Sequence, residues 1–308
     1  MKNLYLTISI LLSILTSFSV SAGELSNKVN LVFIGNSITH AYYLNEEARP
    51  PSVTAFILGD TGLNIKYSNC GVSGSTTVDF LPTSNNLFKN VTAAANSLNE
   101  SDAQLVFSIM LGTNDSAIKG PTGSPVSPDQ YKKNLQCIID SLKLRYPDCK
   151  VILNRPLWYS PNTHNSSQYL QEGLDRLQTY FPQIEDIVKE NDFVYEGDTE
   201  AFDFFKANYL QYLNPESGNS GTFYLHPNQA GAEKLARFWA KAIKTNLTNW
   251  GYKLDTNKKK VACIGNSITE NTALAEKDKY PSILQRNIGN DYTVRNFGAS
   301  GHTLLEFV

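Results

Sequence analysis

Ser37, Gly74, Asn114 and His226 are the residues of this 308-residue chain whose types, taken together, suit covalent chemistry. A serine hydroxyl is a weak nucleophile at neutral pH and needs a base, most often histidine, to take its proton. A carbonyl under attack needs donors aimed at the oxyanion that forms. Ser37 is the candidate nucleophile and His226 the candidate base. The Ser37 backbone N–H, the Gly74 N–H and the Asn114 side-chain amide are the candidate oxyanion donors. Together they would let a serine hydroxyl attack a carbonyl carbon and hold the oxyanion that forms. The competing structural reading makes Ser37 a helix cap, Gly74 a positive-φ position and Asn114 a turn former beside Asp115.

The elements around these residues suit the chemical reading. Leu31–Ile34 is a short apolar run that ends at Gly35, which predicts a buried strand with Ser37 just past its carboxyl end. Leu63–Tyr67 predicts a second strand leading into the Gly74 loop, and Leu105–Met110 a third leading into Gly112-Thr113-Asn114-Asp115. Lys150–Leu153 and Asp192–Tyr195 read as a fourth and fifth, the last ending at Asp198. Helices are expected between them: over Ser52–Leu58, Asn86–Leu98, from a cap at Asp129 through Leu142, and over Ser167–Glu190 with a kink at Pro182. A last helix follows His226 and runs to about Thr245. Such alternation predicts an α/β fold with a mainly parallel sheet and helices on both faces. Every candidate residue then lies beyond the carboxyl ends of the strands, where open α/β sheets bind ligands.

The four blocks GNSIT (Ser37), NCGVSG (Gly74), GTND (Asn114) and LHPNQAG (His226) resemble, in order, those of the SGNH hydrolases, or GDSL esterases. The resemblance covers about residues 28–248. It implies a flavodoxin-like three-layer α/β/α sandwich and ester hydrolysis through an acyl-serine, with no metal or organic cofactor. GNSIT and HPNQAG are similar to exported carbohydrate-esterase and sialate O-acetylesterase-like members. That implies a short acyl group, acetyl foremost, on a small-molecule or glycan ester. A lipase or lysophospholipase is the enzyme alternative, and a non-catalytic glycan-binding relic the other. Two positions depart from the family pattern: Asn36 replaces the usual Asp, and Phe223 stands where the third triad carboxylate is expected. A backbone carbonyl near Thr222 or Phe223 is the nearest substitute partner for His226, with Asp198 and Glu216 as the carboxylates able to reach it.

The blocks also repeat. Gly265-Asn266-Ser267-Ile268-Thr269 and Asn296-Phe297-Gly298-Ala299-Ser300-Gly301 match the first two, in order. The expected organisation is a signal peptide over 1–22, a hydrolase domain over 23–250, a polar linker over 251–260 and a partial second repeat over 261–308, the chain stopping mid-unit. Ser267 lacks counterparts of Asn114 and His226, so it is no candidate site. The leader implies export to the periplasm or beyond, without lasting membrane insertion. A net charge of −2 gives no reason to expect nucleic acid. The four cysteines lack metal-site spacing and read as buried free thiols, with a Cys137–Cys149 disulfide the alternative. Trp158 and Tyr159 follow the fourth strand, as a sugar-stacking wall or as packing. The aromatics of Phe202–Tyr224 read as burial, with a lid beside His226 the alternative.

Overall fold

Five strands form one parallel sheet: β1 (Lys28–Gly35), β2 (Asn64–Gly71), β3 (Gln104–Met110), β4 (Lys150–Leu153) and β5 (Val194–Glu196). Their spatial order is β2-β1-β3-β4-β5, all pairings parallel. This is the flavodoxin-like winding expected from the sequence. The computed structural model describes residues 26–84, 87–255, 257, 259–275, 278–289, 292–303 and 305. The signal peptide expected over residues 1–22 lies outside the described residues.

The helices are α1 (Ser37–His40), α2 (Pro50–Gly59), α3 (Phe88–Leu98), α4 (Pro128–Arg145), α5 (Leu170–Gln178), α6 (Tyr180–Glu190), α7 (Ala201–Tyr212) and α8 (Gln229–Asn249). Helix α2 packs with α8 on one face, while α3 lies over β1 and β2, and α4 packs on α6. Covering both faces explains why Leu31, Val32, Phe33 and Ile34 form an unbroken apolar run: every one is fully buried. Phe33 stacks on Trp239 of α8, ring centroids 5.7 Å apart. Burying a ring of that size contributes about 2–3 kcal/mol.

The chain leaves β1 at a crowded corner. A Cβ on Gly35 would collide with the Thr39 side chain and sit 2.9 Å from the Met110 carbonyl, so only glycine lets α1 start this close to the sheet. The chain reverses direction across the sheet between β1 and β3, and this is the crevice into which the loops after β1, β2 and β3 open.

Two expectations for the helices need correction. Ser127, not Asp129, caps α4 by accepting from the Gln130 N–H; Asp129 sits in the first turn, where a carboxylate suits the helix dipole. The expected long helix is two, broken at Thr179, and Pro182 lies in the first turn of α6, where its missing N–H costs nothing. The aromatic stretch after β5 is α7 followed by an antiparallel hairpin of β6 (Leu213–Gly218) and β7 (Gly221–Pro227). Its Phe202, Phe205 and Phe223 are core residues. So are Trp158 and Tyr159, which form no exposed wall. All four cysteines are free, and Cys137 is exposed rather than buried. Among the described residues no helix is long and apolar enough to cross a membrane.

Of the residues expected as a polar linker, Tyr252 is buried, Asp255 N–H donates to the Thr61 carbonyl at 2.8 Å, and Lys259 belongs to a strand. Beyond lie β8 (Lys259–Gly265), α9 (Ser267–Glu270), α10 (Tyr280–Ile288) and β9 (Tyr292–Gly298). Strands β8 and β9 pair parallel with Gly265 opposite Gly298, as β1 and β2 pair with Gly35 opposite Gly71. Asn266 caps α9 through the Ile268 N–H, as Asn36 caps α1 through the Ile38 N–H. This unit rests on α2: the Arg295 guanidinium lies 3.6 Å over the Phe56 ring and 2.6 Å from the Asp60 carboxylate.

Candidate active site

Ser37 opens α1 directly after β1, but it does not cap the helix. The cap is Asn36, whose side-chain oxygen accepts from the Ile38 N–H at 3.0 Å. The Ser37 hydroxyl is therefore free for another partner, and that partner is His226 Nε2 at 2.8 Å. His226 sits near the end of β7, one residue before the Pro227-Asn228 entry to α8, and not on a helix.

Behind the imidazole stands Glu216. His226 Nδ1 lies 3.0 Å from both oxygens of the Glu216 carboxylate, and the His226 backbone N–H donates to Oε1, also at 3.0 Å. The hairpin register explains how this residue arrives there. The ladder pairs Leu213 with Pro227 but Pro215 with Tyr224, so Leu225 and His226 together oppose Asn214. That bulge shifts the register by one, and a shift of one turns a side chain to the other face. It brings His226 to the Glu216 side and leaves its N–H outside the ladder, where the carboxylate accepts it. Phe223 pairs directly across from Glu216 and is buried. The carboxylate missing from position 223 is thus supplied by its cross-strand neighbour.

This corrects the first-ranked expectation: Nδ1 faces a carboxylate, not the carbonyl of Thr222 or Phe223. It also removes Asp198 from the site. Asp198 accepts from the Glu200 and Ala201 N–H groups at the start of α7, and burial pushes its pKa up to about 6. An ionised Glu216 can only accept, so the Nδ1 proton belongs between it and His226. Nε2 then offers a lone pair to the Ser37 hydroxyl. His226 and Glu216 have side chains 20% and 27% exposed, so the relay is partly shielded yet open to a ligand.

The donor side lies opposite. Gly74 holds φ +78°, and nothing lies within 4 Å of where a Cβ would be. Among the described residues neither the Ser37 N–H nor the Gly74 N–H donates to a protein acceptor. Asn114 is buried, and its orientation is fixed by Tyr169, whose hydroxyl donates to Oδ1 at 2.6 Å. Nδ2 donates to the Ser75 carbonyl at 2.8 Å, which leaves it one further N–H. Burial pushes the Tyr169 phenol up to about 12, so it remains a donor across the working range. Tyr169 carries no spacing signal in the sequence; only the three-dimensional loop after β4 brings it to Asn114. Tyr43 is a second residue the sequence did not mark. Its ring meets His226 edge-on at 5.7 Å, and its hydroxyl donates to the Pro227 carbonyl at 2.9 Å.

Below Asn114, fully buried Asp115 accepts from the N–H and hydroxyl of Thr77, and Asn134 Nδ2 donates to that hydroxyl at 2.9 Å. Burial pushes the Asp115 carboxyl from 3.8 up to about 6. The folded state therefore binds more protons than the unfolded chain over that window, and this group's contribution to stability falls as pH rises through it. The expected result is that Asp115→Asn flattens the fall by about 1–3 kcal/mol relative to wild type. Urea unfolding of both proteins at pH 4.5 and pH 7 measures it; parallel changes in the two would show that Asp115 does not titrate there.

A serine, a histidine and a carboxylate stand in line at the carboxyl end of a parallel sheet covered by helices on both faces. The model of the GDSL-like lipase/acylhydrolase family matches residues 33–234. The chain belongs to that family. Among characterised proteins, an acetylxylan esterase of Xylanibacter ruminicola is 32% identical over 109 residues, which are 32% of this chain and 22% of that enzyme. The chain thus matches about a fifth of that relative's length. Among solved structures, Est24, a carbohydrate acetylesterase from Sinorhizobium meliloti, superposes with a TM-score of 0.50 at 16% identity, over 71% of this chain and 100% of that one. At that identity the likeness shows the shared fold.

Proposed function

We propose that this chain is a serine esterase that removes short acyl groups, acetyl foremost, from carbohydrate. The observation that carries the reading is the Ser37–His226–Glu216 relay, with Oγ 2.8 Å from Nε2 and the carboxylate 3.0 Å from Nδ1. His226 takes the Ser37 proton as Oγ attacks the ester carbonyl, and Glu216 holds the imidazolium that forms. The oxyanion rests on the Ser37 and Gly74 N–H groups and on the remaining Asn114 N–H. The intermediate collapses, the ester C–O bond breaks, and the leaving alcohol takes the proton from His226. Water, deprotonated by His226, then attacks the acyl-serine; the acid leaves and Ser37 recovers its proton. The acetylxylan esterase relative supports acetyl and carbohydrate as the two sides of the ester. On the same reading, residues 1–22 are an export leader and residues 261–308 a partial second repeat, as their duplicated blocks and caps suggest.

A fluorophosphonate probe tests the mechanism directly, because only an activated serine displaces its fluoride. Peptide mass mapping should find the phosphonyl group on Ser37, and Ser37→Ala should take none. A probe carried equally by both proteins, or found on another serine, would overturn the assignment.

A further inference from the structure

A row of aromatic rings runs up to Ser37, and of its members this chemistry uses only His226. His40, Tyr42, Tyr43 and His226 are successive neighbours, with centroids 5.6, 6.1 and 5.7 Å apart. The row starts beside Gly74, where Ser73 Oγ lies 3.2 Å from His40 Nδ1, and it ends at the imidazole that meets Ser37. Tyr42 is 64% exposed and Tyr43 37%. The Tyr43 ring is fixed by its bond to the Pro227 carbonyl, while the Tyr42 hydroxyl has no hydrogen-bond partner among the described residues. Neither ring is there to fill the core.

Nor does the turn that carries them require tyrosine. Ala41, at φ +45°, ends α1 and sends the chain outward, and the Leu44 N–H closes the turn on the Ala41 carbonyl. The C-terminal unit builds the same turn with Asn271 at φ +43° and the Leu274 N–H on the Asn271 carbonyl. There, Thr272 and Ala273 occupy the positions of Tyr42 and Tyr43. The backbone shape is thus independent of the aromatic pair, and the pair is found in the copy whose serine has a histidine.

Such a surface suits a ligand with a flat C–H face and a polar rim. The Tyr42 ring takes the apolar face, and its exposed hydroxyl and solvent take the rim. A sugar ring has this form. We propose that Tyr42 is the platform on which a pyranose ring of the ester-bearing glycan stacks, with Tyr43, its ring at 80° to that of Tyr42, closing the edge toward His226, so that the sugar is the alcohol side of the bond cut at Ser37.

The proposal rests on the esterase reading, and its test separates the two. An acetylated xylo-oligosaccharide is titrated by calorimetry into the Ser37→Ala protein, which binds without turnover. Adding Tyr42→Ala should weaken Kd about tenfold, while Tyr42→Phe and Tyr42→Trp should hold it within about twofold. In the active protein, Tyr42→Ala should lower the ratio of kcat/KM for this glycan to kcat/KM for p-nitrophenyl acetate about tenfold, through KM. Equal Kd values with and without Tyr42, an unchanged ratio, or no glycan binding at all would overturn the platform. If Ser37 proved not to be the nucleophile, the calorimetric comparison would still decide it.

Discussion

Ser37→Ala should lower kcat for p-nitrophenyl acetate by about 10⁴-fold or more, and His226→Ala should cost a similar factor. The two losses should not multiply. Oγ and Nε2 are 2.8 Å apart and share one proton. Removing the base leaves a hydroxyl too weak to attack, and removing the hydroxyl leaves a base with nothing to activate. The double variant should therefore be no slower than the worse single one, within about threefold. What remains over water is the contribution of donors that neither change touches, namely the backbone N–H at position 37, the Gly74 N–H and Asn114. Stopped-flow measurement should also find an initial burst in wild type and none in Ser37→Ala, since the burst counts acyl-enzyme. Multiplicative losses would mean that the two residues act in separate steps, and wild-type rates in either variant would remove the mechanism. Folding should survive both changes: each side chain is partly exposed and neither fills the core.

Much of this site can be read from the residues because each block ends an apolar run. A strand buried on both faces writes itself as Leu-Val-Phe-Ile or Leu-Val-Phe-Ser-Ile-Met, and the residue after it lands at the mouth of the sheet by geometry alone. Ser37 and Asn114 are placed in this way, whereas Gly74 follows the half-exposed edge strand β2, which is legible as alternation around Ile65 and Tyr67. The partner of His226 is not, because its position depends on a hairpin register. Pro215 interrupts the alternation of β6, and Phe223, Tyr224 and Leu225 give β7 the look of an irregular aromatic stretch. The turn had left a signal: Gly218-Asn219-Ser220-Gly221 is a two-residue loop between glycines, and Gly221 takes φ +88°. The bulge that turns His226 toward Glu216 has no such marker. A carboxylate ten residues before the histidine carries no helical or strand period that points at it. The misplaced α4 cap has a simpler cause: Ser127-Pro128-Asp129 holds two residues able to cap, and Pro128 at the first helical position settles it in favour of Ser127.

Glu216→Gln should reduce kcat for p-nitrophenyl acetate by about 10³- to 10⁴-fold with KM changed by less than about threefold. The carboxylate does three things at once. It accepts the Nδ1 proton, which keeps the lone pair on Nε2. It opposes the positive charge that His226 gains during attack. Through Oε1 it also satisfies the backbone N–H that the bulge leaves unpaired. Glutamine fills the same volume but brings one acceptor and an NH₂ group. With its oxygen at the Oε1 position it can still accept both the backbone N–H and Nδ1–H, but the NH₂ then sits at the Oε2 position, 3.0 Å from Nδ1, and competes for the wrong tautomer. If the oxygen turns to the Oε2 position, the backbone N–H is left against a donor. In either arrangement the compensating charge is gone, and that loss falls on the transition state rather than on substrate binding. Glu216→Asp keeps the charge but draws it back by one methylene, so it should recover part of the rate. Glu216→Ala should equal or exceed the loss in Glu216→Gln. Melting temperatures separate chemistry from folding: the expected drop in Glu216→Gln corresponds to about 1 kcal/mol, far short of the rate effect. A rise in KM with kcat retained, or a loss below tenfold, would mean that the carboxylate only braces the hairpin and that His226 is held by Tyr43 and the bulge alone.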